Sequence, residues 1–404
     1  MDALVLAIPV FLVLAALEAA LVSRRAGSRY RLGDLVSGLG CGTLDQVVNL
    51  FVSGGFLALY VGLNRQWALV RIDSGSIPAW VACVVVHDLA YYLFHRASHR
   101  VNVLWAAHAV HHQSEDYTLA VSLRQGTIAT WVSYGFYLPL ALIGFPAAMF
   151  VAVHGVYQVY QFFVHTRLIP SLGPLEKILA SPVLHRVHHG RDADFLDKNY
   201  GGFFIVWDKL FGTFTPYTRE PDYGVTAGIR SWSPYWANLY PYTDLARRAR
   251  RAPTTRAALA LWFKPPEWTA SWDAHEQAPH GYGPAVPRAA AAYTLAQLAV
   301  ALVAGFALLW PGLVPDTRLS VLLAAFVLLS LVSLPALWDR RPWARRLEIA
   351  RLTLAVVGAG ALAMAGALGG LLAVAVLVGS LASVAALASA LGPRAGLARG
   401  VVVR

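Results

Sequence analysis

Residues 81–112 read VACVVVHDLAYYLFHRASHRVNVLWAAHAVHH. An apolar run opens this stretch and leads directly into closely spaced histidines. A helix that spans a bilayer needs about 20 apolar residues, and the run 76–95 is long enough. Histidines three or four residues apart lie on one face of a helix. The stretch therefore predicts a membrane helix that ends in a cluster of imidazoles.

The composition extends this prediction to the whole chain. Of its 404 residues, 57% are hydrophobic and 14% are charged, and the mean hydropathy is +0.53. Soluble domains carry about 25% charged residues, so we predict a polytopic helical membrane protein of the all-α class. The net charge of +11 collects at the ends of apolar runs, which indicates membrane topology and argues against nucleic-acid binding. Cys41 and Cys83 form neither a metal motif nor a predicted disulfide.

Further apolar runs predict the other membrane helices. No basic segment precedes the first run, and Arg24 and Arg25 follow it, so it is interpreted as a spanning helix rather than a signal peptide. The stretch 127–166 contains two prolines and a glycine near its middle, which predicts a hairpin of two helices. The remaining predicted runs are 3–22, 37–62, 289–312, 318–337, 350–369 and 371–391.

The arginine distribution predicts the orientation. One topology places the basic clusters near residues 24–31, 247–251 and 340–346, together with the C-terminal arginines, on the inner side. It also places the motif histidines there, which predicts an active site on the cytosolic side of an inner or plasma membrane. The block 289–391 is almost entirely Ala, Leu, Val and Gly. We expect a C-terminal transmembrane extension without chemistry of its own.

Three short motifs hold most of the clustered histidines, and we expect each motif to aim its imidazoles at one point. Imidazole binds zinc, copper, iron or nickel. Eight histidines exceed the four ligands of a tetrahedral zinc ion, so the count favours two metal ions. His87 and His154 fit the alternative of helix-packing hydrogen bonds, but eight paired imidazoles would be costly to cluster in a membrane protein without a metal. The motifs are His95-Arg96-Ala97-Ser98-His99, His108-Ala109-Val110-His111-His112 and His185-Arg186-Val187-His188-His189.

Over residues 85–225 the chain resembles the fatty acid hydroxylase and sterol desaturase superfamily. The motifs follow the pattern His-x3-His, eight residues, His-x2-His-His, seventy-two residues, His-x2-His-His. The resemblance implies an integral membrane lipid oxidase that uses two iron ions and dioxygen. It also implies a ninth ligand, His165. Within the superfamily the chain resembles the alkylglycerol monooxygenases, through segments that include Asp88–Arg96, His111–Tyr117, Tyr160–Thr166, Asp197–Tyr200 and Trp207–Phe214.

The apolar runs and the resemblance together predict four regions. They are N-terminal transmembrane helices (1–75), a fatty acid hydroxylase-like di-iron domain (76–220), a cytosolic or interfacial connection (221–287) and C-terminal transmembrane helices (288–404).

Polar residues near the motifs are candidates for orienting the ligands, since metal-bound histidines usually donate their other ring N–H to a carboxylate or carbonyl. Asp88 lies on the same helix face as His95, and the hydroxyl of Tyr92 could bridge the two. For Glu115 and Asp116 the alternative is a solvated turn or helix cap. The predicted catalytic set is Asp88, Tyr92, Glu115, Asp116 and Asn199, and the further candidate carboxylates are Asp192, Asp197 and Asp208.

The predicted function is dioxygen-dependent hydroxylation of a lipid C–H bond, with cleavage of the ether bond of alkylglycerols as one form of it. Fatty acyl, sterol or other lipid hydroxylation or desaturation remains open, because spacing does not choose between them. The predicted partners are the membrane, a lipid, dioxygen and an electron donor, either a pterin or a redox protein. Arg100 replaces an acidic residue and Leu184 a histidine of alkylglycerol monooxygenases, which weakens the inference of a tetrahydrobiopterin cofactor and of an ether-lipid substrate but leaves the di-iron core intact.

Two rival classes bind metal or haem without being enzymes of this kind. A membrane haem protein needs histidine pairs that face each other within the bilayer. A metal transporter or scaffold would carry polar ligands along the transmembrane path. We expect the last four helices to lack such ligands.

Overall fold

The computed structural model describes residues 3–24, 31–226, 228–268 and 281–390. In these residues the regular secondary structure is helical, and two isolated bridges, Leu179 to Phe204 and Gly190 to Tyr223, are the only strand-like pairings. The all-α prediction is confirmed. Three predicted features lie outside the described residues: Arg25, a part of the predicted connection 221–287, and the basic residues after 390.

The helices follow one another closely along the chain, and a single 3-10 helix, Gly173–Lys177, lies between α7 and α8. The α-helices are α1 (Ala3–Ser23), α2 (Leu32–Trp67), α3 (Ile77–Arg100), α4 (Asn102–His112), α5 (Leu119–Ser122), α6 (Thr127–Ile143), α7 (Ala147–Val164), α8 (Pro182–His188), α9 (Val206–Phe211), α10 (Pro234–Ala249), α11 (Thr255–Phe263), α12 (Arg288–Leu309), α13 (Thr317–Trp338), α14 (Ala344–Met364) and α15 (Gly370–Ala390).

The chain divides into two compact units. One comprises residues 1–30, 48–229 and 238–281, and the other comprises residues 31–47, 230–237 and 282–404. All three histidine motifs lie in the first unit. The predicted domain boundaries near residues 75, 220 and 287 stay predictions.

Six described helices are long and apolar enough to cross a membrane, namely α3, α7, α12, α13, α14 and α15. The bent helix α2 would add a seventh. Two further apolar helical stretches, Ala7–Ser23 and Thr127–Ile143, are shorter. The protein is an integral membrane protein, as the composition predicts.

The predicted hairpin forms at Gly144, between α6 and α7. Gly144 has φ +124°, and a Cβ there would lie 1.9 Å from the carbonyl oxygen of Val70, so only glycine fits this turn. Leu69 N–H donates to Leu142 O at 2.8 Å and joins the chain before α3 to the end of α6. These contacts place α6 and α7 against α3, around a core that includes Tyr60, Cys83, Tyr137, Leu140, Met149 and Phe150.

A sharp corner between α3 and α4 positions the first two motifs. Val101 is extended and ends α3, and α4 begins at the next residue. Asn102 fixes the corner, because its N–H donates to Lys264 O at 2.9 Å and its Nδ2 to Leu261 O at 2.9 Å. The corner folds the end of α3 back over α4, so that their histidines share one space.

The second unit contains a buried polar network within a block that the sequence predicts to be almost entirely apolar. Glu348 and Arg351 on α14 are fully buried and form an ion pair of 2.6 Å. The apolar run predicted from residue 350 starts after Glu348, but α14 begins at Ala344, so Glu348 lies inside the helix bundle. The pair contacts four more polar side chains on α12 and α13: Tyr293, Gln297, Ser330 and Ser333.

Candidate metal centre

Nine histidines of the first unit converge in two buried groups. In each group the ring nitrogens that face one another all lie within 4.8 Å. These are the only groups of three or more such side chains among the described residues that could hold a metal ion. The five-histidine group is His95, His99, His108, His112 and His188, and the four-histidine group is His111, His165, His185 and His189.

The spacing predicts that each motif aims its imidazoles at one point. In the structure the second and third motifs divide their histidines between the two groups. Residues four apart do share a group, as His108 with His112 and His185 with His189, because i and i+4 lie on one helix face. The histidine between them faces the other group. The consecutive pairs His111–His112 and His188–His189 therefore place one imidazole in each group, and the groups lie side by side: the rings of His112 and His189 stack at 4.4 Å.

Backbone carbonyls fix the orientation of several rings. His95 Nδ1 donates to Tyr200 O at 2.8 Å, His188 Nδ1 to Lys198 O at 2.9 Å, and His165 Nδ1 to Gln161 O at 2.6 Å. His111 Nδ1 donates to Arg124 O at 3.2 Å. A neutral ring that donates through Nδ1 carries its lone pair on Nε2.

The resulting lone pairs face one another. The Nε2 atoms of His111 and His165 lie 3.0 Å apart, and both rings already donate through Nδ1, so neither neutral ring has a proton for this contact. Two metal–nitrogen bonds of about 2.1 Å at a right angle place their nitrogens about 3.0 Å apart. The Nε2 atoms of His99, His188 and His189 are buried without a hydrogen-bond partner. The donor set therefore fits metal ions, with imidazole ligands that suit iron.

Burial favours the neutral form of the motif histidines outside the spanning helices, and metal binding requires neutral imidazoles. Burial, reinforced by neighbouring imidazoles, lowers the pKa of His185, His188 and His189 well below the ordinary value for histidine. Burial also lowers the pKa of His111 to about 4. Outside the spanning helices, the ligand candidates are thus unprotonated near neutral pH.

The segment 197–200 presents acceptors to three histidines of the five-histidine group. Asp197 and Asn199 both have positive φ, +59° and +55°, a conformation that Asp and Asn tolerate better than other non-glycine residues. Because residues 197 and 199 have positive φ, the carbonyls of Lys198 and Tyr200 turn toward His188 and His95. Asp197 Oδ1 lies 3.4 Å from His99 Nδ1.

Comparisons with known proteins agree with this geometry. The sequence profile of the fatty acid hydroxylase family matches residues 80–213, which contain both histidine groups. The chain is 35% identical over 340 residues to alkylglycerol monooxygenase from Danio rerio, covering 81% of this chain and 75% of that protein. The chain belongs to the fatty acid hydroxylase family. The predicted resemblance is confirmed.

Two further relatives are another alkylglycerol monooxygenase and a lipid hydroxylase. The human alkylglycerol monooxygenase is 34% identical over 332 residues, covering 80% of this chain and 74% of that protein. An ornithine lipid hydroxylase, OlsE of Rhizobium tropici, is 30% identical over 149 residues, covering 36% of this chain and 45% of that protein. No solved structure matches the chain. As a member of this family the protein is a membrane lipid hydroxylase and a dioxygen-dependent monooxygenase.

Asp88 and Asp208 fold a loop rather than contact histidines. The Asp88 carboxylate accepts from Phe203 N at 2.8 Å and from Phe204 N at 3.1 Å. The Asp208 carboxylate accepts from Tyr200 N at 2.8 Å and from Gly201 N at 2.7 Å. Together they hold the loop whose Tyr200 carbonyl orients His95.

Three other predicted residues bond to groups other than the histidine rings. The Tyr92 hydroxyl lies 3.0 Å from Thr213 Oγ1. It therefore contacts Thr213 instead of forming the expected bridge between Asp88 and His95. Asn199 Nδ2 donates to Leu184 O at 3.0 Å, and its Oδ1 accepts from Thr215 N, which fixes the segment 197–200. Asp192 accepts from Asp222 N at 2.8 Å.

Glu115 and Asp116 bind other parts of the first unit. Glu115 Oε2 accepts from Gly281 N at 2.9 Å. Asp116 is buried, forms an ion pair with Arg167 and accepts from Tyr117 N at 2.9 Å. Among the carboxylates named from the sequence, Asp197 is the one that contacts a histidine of either group in the described residues.

Glu18 was missed by the sequence reasoning. It lies on α1, is only 2% exposed, and its carboxylate accepts from Leu119 N–H and from the Thr166 hydroxyl. Leu119 begins the helix that follows the motif with His111, and Thr166 directly follows His165. The signal was a single carboxylate inside an apolar run, which is costly without a partner.

Arg100 and Leu184, the two departures from the alkylglycerol monooxygenase pattern, both have defined contacts in the structure. Arg100 forms ion pairs with Asp197 at 2.8 Å and Glu267 at 2.6 Å, so it fixes the carboxylate that contacts His99. Leu184 is buried in an apolar cluster with Val183 and Ile205. Neither residue displaces any of the nine converging histidines.

His87 and His154 form a pair outside both groups. His87 Nε2 and His154 Nδ1 lie 3.1 Å apart, between α3 and α7. The ring of His87 packs on Tyr137 at 4.6 Å and on Tyr157 at 4.8 Å. This arrangement matches the helix-packing alternative.

Proposed function

We propose that the two histidine groups bind two iron ions and that the protein is a di-iron monooxygenase of alkylglycerols. The observation that carries the metal proposal is the convergence of nine Nε2 and Nδ1 donors into two adjacent buried groups. The five-histidine group would hold one ion and the four-histidine group the other. The alkylglycerol proposal draws on the names of relatives that are 34–35% identical over most of this chain.

The reaction inserts one oxygen atom of dioxygen into a lipid C–H bond, and the other atom leaves as water with two electrons and two protons. The bound irons would supply the activation of dioxygen. On an alkylglycerol, hydroxylation of the carbon next to the ether oxygen gives a hemiacetal, which breaks into a fatty aldehyde and glycerol. The electrons come from a pterin or a redox protein.

The protein's own residues orient the ligands and keep water out. The carbonyls of Lys198 and Tyr200 hold two rings of the five-histidine group, and Asn199 braces that segment. Asp88 and Asp208 support the same loop, Tyr92 contacts it through Thr213, and Glu115 and Asp116 anchor the segment after His112. We propose positioning roles for these predicted residues. The arginine distribution supports a metal centre on the cytosolic side.

Iron analysis and substrate conversion test the proposal separately. We expect two iron ions per chain in protein purified under iron-replete conditions, and release of fatty aldehyde from an alkylglycerol in the presence of tetrahydrobiopterin or a reduced redox protein. Fewer than two metal ions per chain would contradict the metal centre. Two iron ions with no aldehyde, but with a hydroxylated acyl lipid in a lipidomic comparison of cells with and without the protein, would overturn only the substrate.

Replacing Glu18 with Ala is expected to weaken iron binding in the four-histidine group. Its carboxylate joins α1 to the segments that carry His111 and His165, and loss of such supporting contacts lowers metal affinity by about 10- to 100-fold. Iron per chain is measured during titration with a chelator, and one of the two ions should leave at lower chelator concentration than in the unaltered protein.

The matched control is Glu18→Gln. Glutamine can accept from Leu119 N–H and donate to the Thr166 hydroxyl, so it should restore most of the iron binding. Equal loss in both variants, or loss of both ions together in Glu18→Ala, would show that Glu18 acts on general folding instead.

A further inference from the structure

Four exposed apolar side chains lie on two neighbouring segments after α7. Leu175 on the 3-10 helix is 57% exposed and Leu210 on α9 is 68% exposed, and Ile178 and Val206 beside them are also exposed. We call these four residues the interfacial patch. The two segments are joined, because Ile205 N donates to Ile178 O at 2.9 Å and Leu179 bridges to Phe204. Scattered apolar residues are ordinary on a surface, but a contiguous patch indicates an interaction.

The chain next to the interfacial patch is tied to a membrane helix. The apolar part of α3 runs from Ile77 to Phe94, which is about 27 Å at 1.5 Å per residue. Asp88 is six residues from the end of this part, about 9 Å inside it. Its carboxylate accepts from the N–H groups of Phe203 and Phe204 and from Trp207 Nε1 at 2.8 Å. The chain just before and within α9 is therefore tied to the interior of the span.

Several backbone groups beside the patch have partners inside the protein, as entry into lipid requires. Backbone groups in hydrocarbon must bind one another or a protein side chain, since no water is present there. Asp88 satisfies the amides of Phe203 and Phe204, and Phe203 O accepts from Ala180 N at 2.9 Å. The Tyr160 hydroxyl donates to Ala180 O from α7. A carboxylate in the middle of a spanning helix is costly, and this loop is its partner.

We propose that the interfacial patch inserts into the acyl-chain region of the bilayer, beside α3. Lys177 and Lys209 flank the patch, and both are exposed, as basic residues at the level of phosphate headgroups are. Lys209 Nζ donates to Lys177 O at 2.7 Å, which keeps the two segments together. The loop that orients His95 through Tyr200 thus touches lipid a few residues later. This inference depends neither on iron nor on the substrate.

Nitroxide labels on the full chain test the proposal. Leu210→Cys and Leu175→Cys are labelled separately in a chain with Cys41→Ala and Cys83→Ala, and reconstituted in vesicles of phosphatidylcholine with phosphatidylglycerol. Relaxation by dissolved oxygen, which concentrates in acyl chains, is compared with relaxation by a water-soluble nickel chelate. Val156→Cys, on an exposed position of α7, is the lipid control, and Asp222→Cys is the water control.

We expect both patch labels to favour oxygen over the nickel chelate severalfold more than the Asp222 label does, and to resemble the Val156 label. Labels at Leu210 and Leu175 that resemble the Asp222 label would overturn the proposal in favour of a solvated surface. Labels that neither reagent reaches would overturn it in favour of a protein partner or a second copy of the chain. Two separate label sites keep the test decisive if one variant fails to fold.

Discussion

Replacing His188 with Ala is expected to abolish turnover and to lower the iron content from two ions per chain to about one. The ring of His188 lies 4.3 Å from that of His95 and 4.8 Å from those of His99 and His112, at the centre of the five-histidine group. Loss of an outer hydrogen-bond partner costs a metal site about 10- to 100-fold, so loss of a ligand should lower activity more than about 100-fold. Iron per chain and product formation are measured on the same preparation.

His154→Ala is the matched control, because it removes a partly buried imidazole that belongs to neither group. It should keep two iron ions per chain. His189→Ala should also lose about one ion, since His189 belongs to the four-histidine group. Full iron content in folded His188→Ala protein would contradict the assignment of the five-histidine group as a metal site.

Replacing Glu348 with Ala is expected to destabilise the second unit by about 3–5 kcal/mol. The change leaves the fully buried Arg351 guanidinium without its carboxylate, and the hydroxyls of Tyr293 and Ser333 lose their acceptor. Gln297 and Ser330 still contact Arg351 but carry no charge. The free energy of unfolding in detergent micelles measures the effect.

The double variant Glu348→Met with Arg351→Met separates a charge effect from a packing effect. It removes both charges and keeps apolar volume, and such replacements of buried ion pairs are often neutral or stabilising. We expect it to recover most of the stability lost in Glu348→Ala. A double variant as unstable as the single one would show that the network stabilises the helices mainly through its hydrogen bonds.

The membrane helices, and the family to which the chain belongs, were both predictable from local sequence patterns. Apolar runs near residues 76–95, 289–312 and 318–337 correspond to α3, α12 and α13, since lipid-facing helices are apolar along their whole length. The limits of such runs were less predictable. Glu348 was placed outside its helix because a charge ends an apolar window, while in the fold a partner three residues later cancels that charge.

The support of the histidines was not predictable from residue types. We expected carboxylates or carbonyls to orient the rings and named carboxylates as candidates. Four of the rings donate to backbone carbonyls, which every residue carries. Only chain geometry, such as the positive φ of Asp197 and Asn199, aims a carbonyl at a ring. Glu18 acts across about 100 residues of sequence, a distance over which local pattern has no information.

The sequence by itself predicted that the eight histidines of the three motifs belong together, because helical spacing is a local property of the chain, and the resemblance to the superfamily added the ninth, His165. Only the tertiary structure decided how the nine divide. The corner between α3 and α4, the end of α7 and the approach of α8 bring rings from four helices into one volume. Consecutive residues on a helix point about 100° apart, so His111 with His112, and His188 with His189, serve adjacent groups. The two groups are therefore a property of helix packing, and not of any single motif.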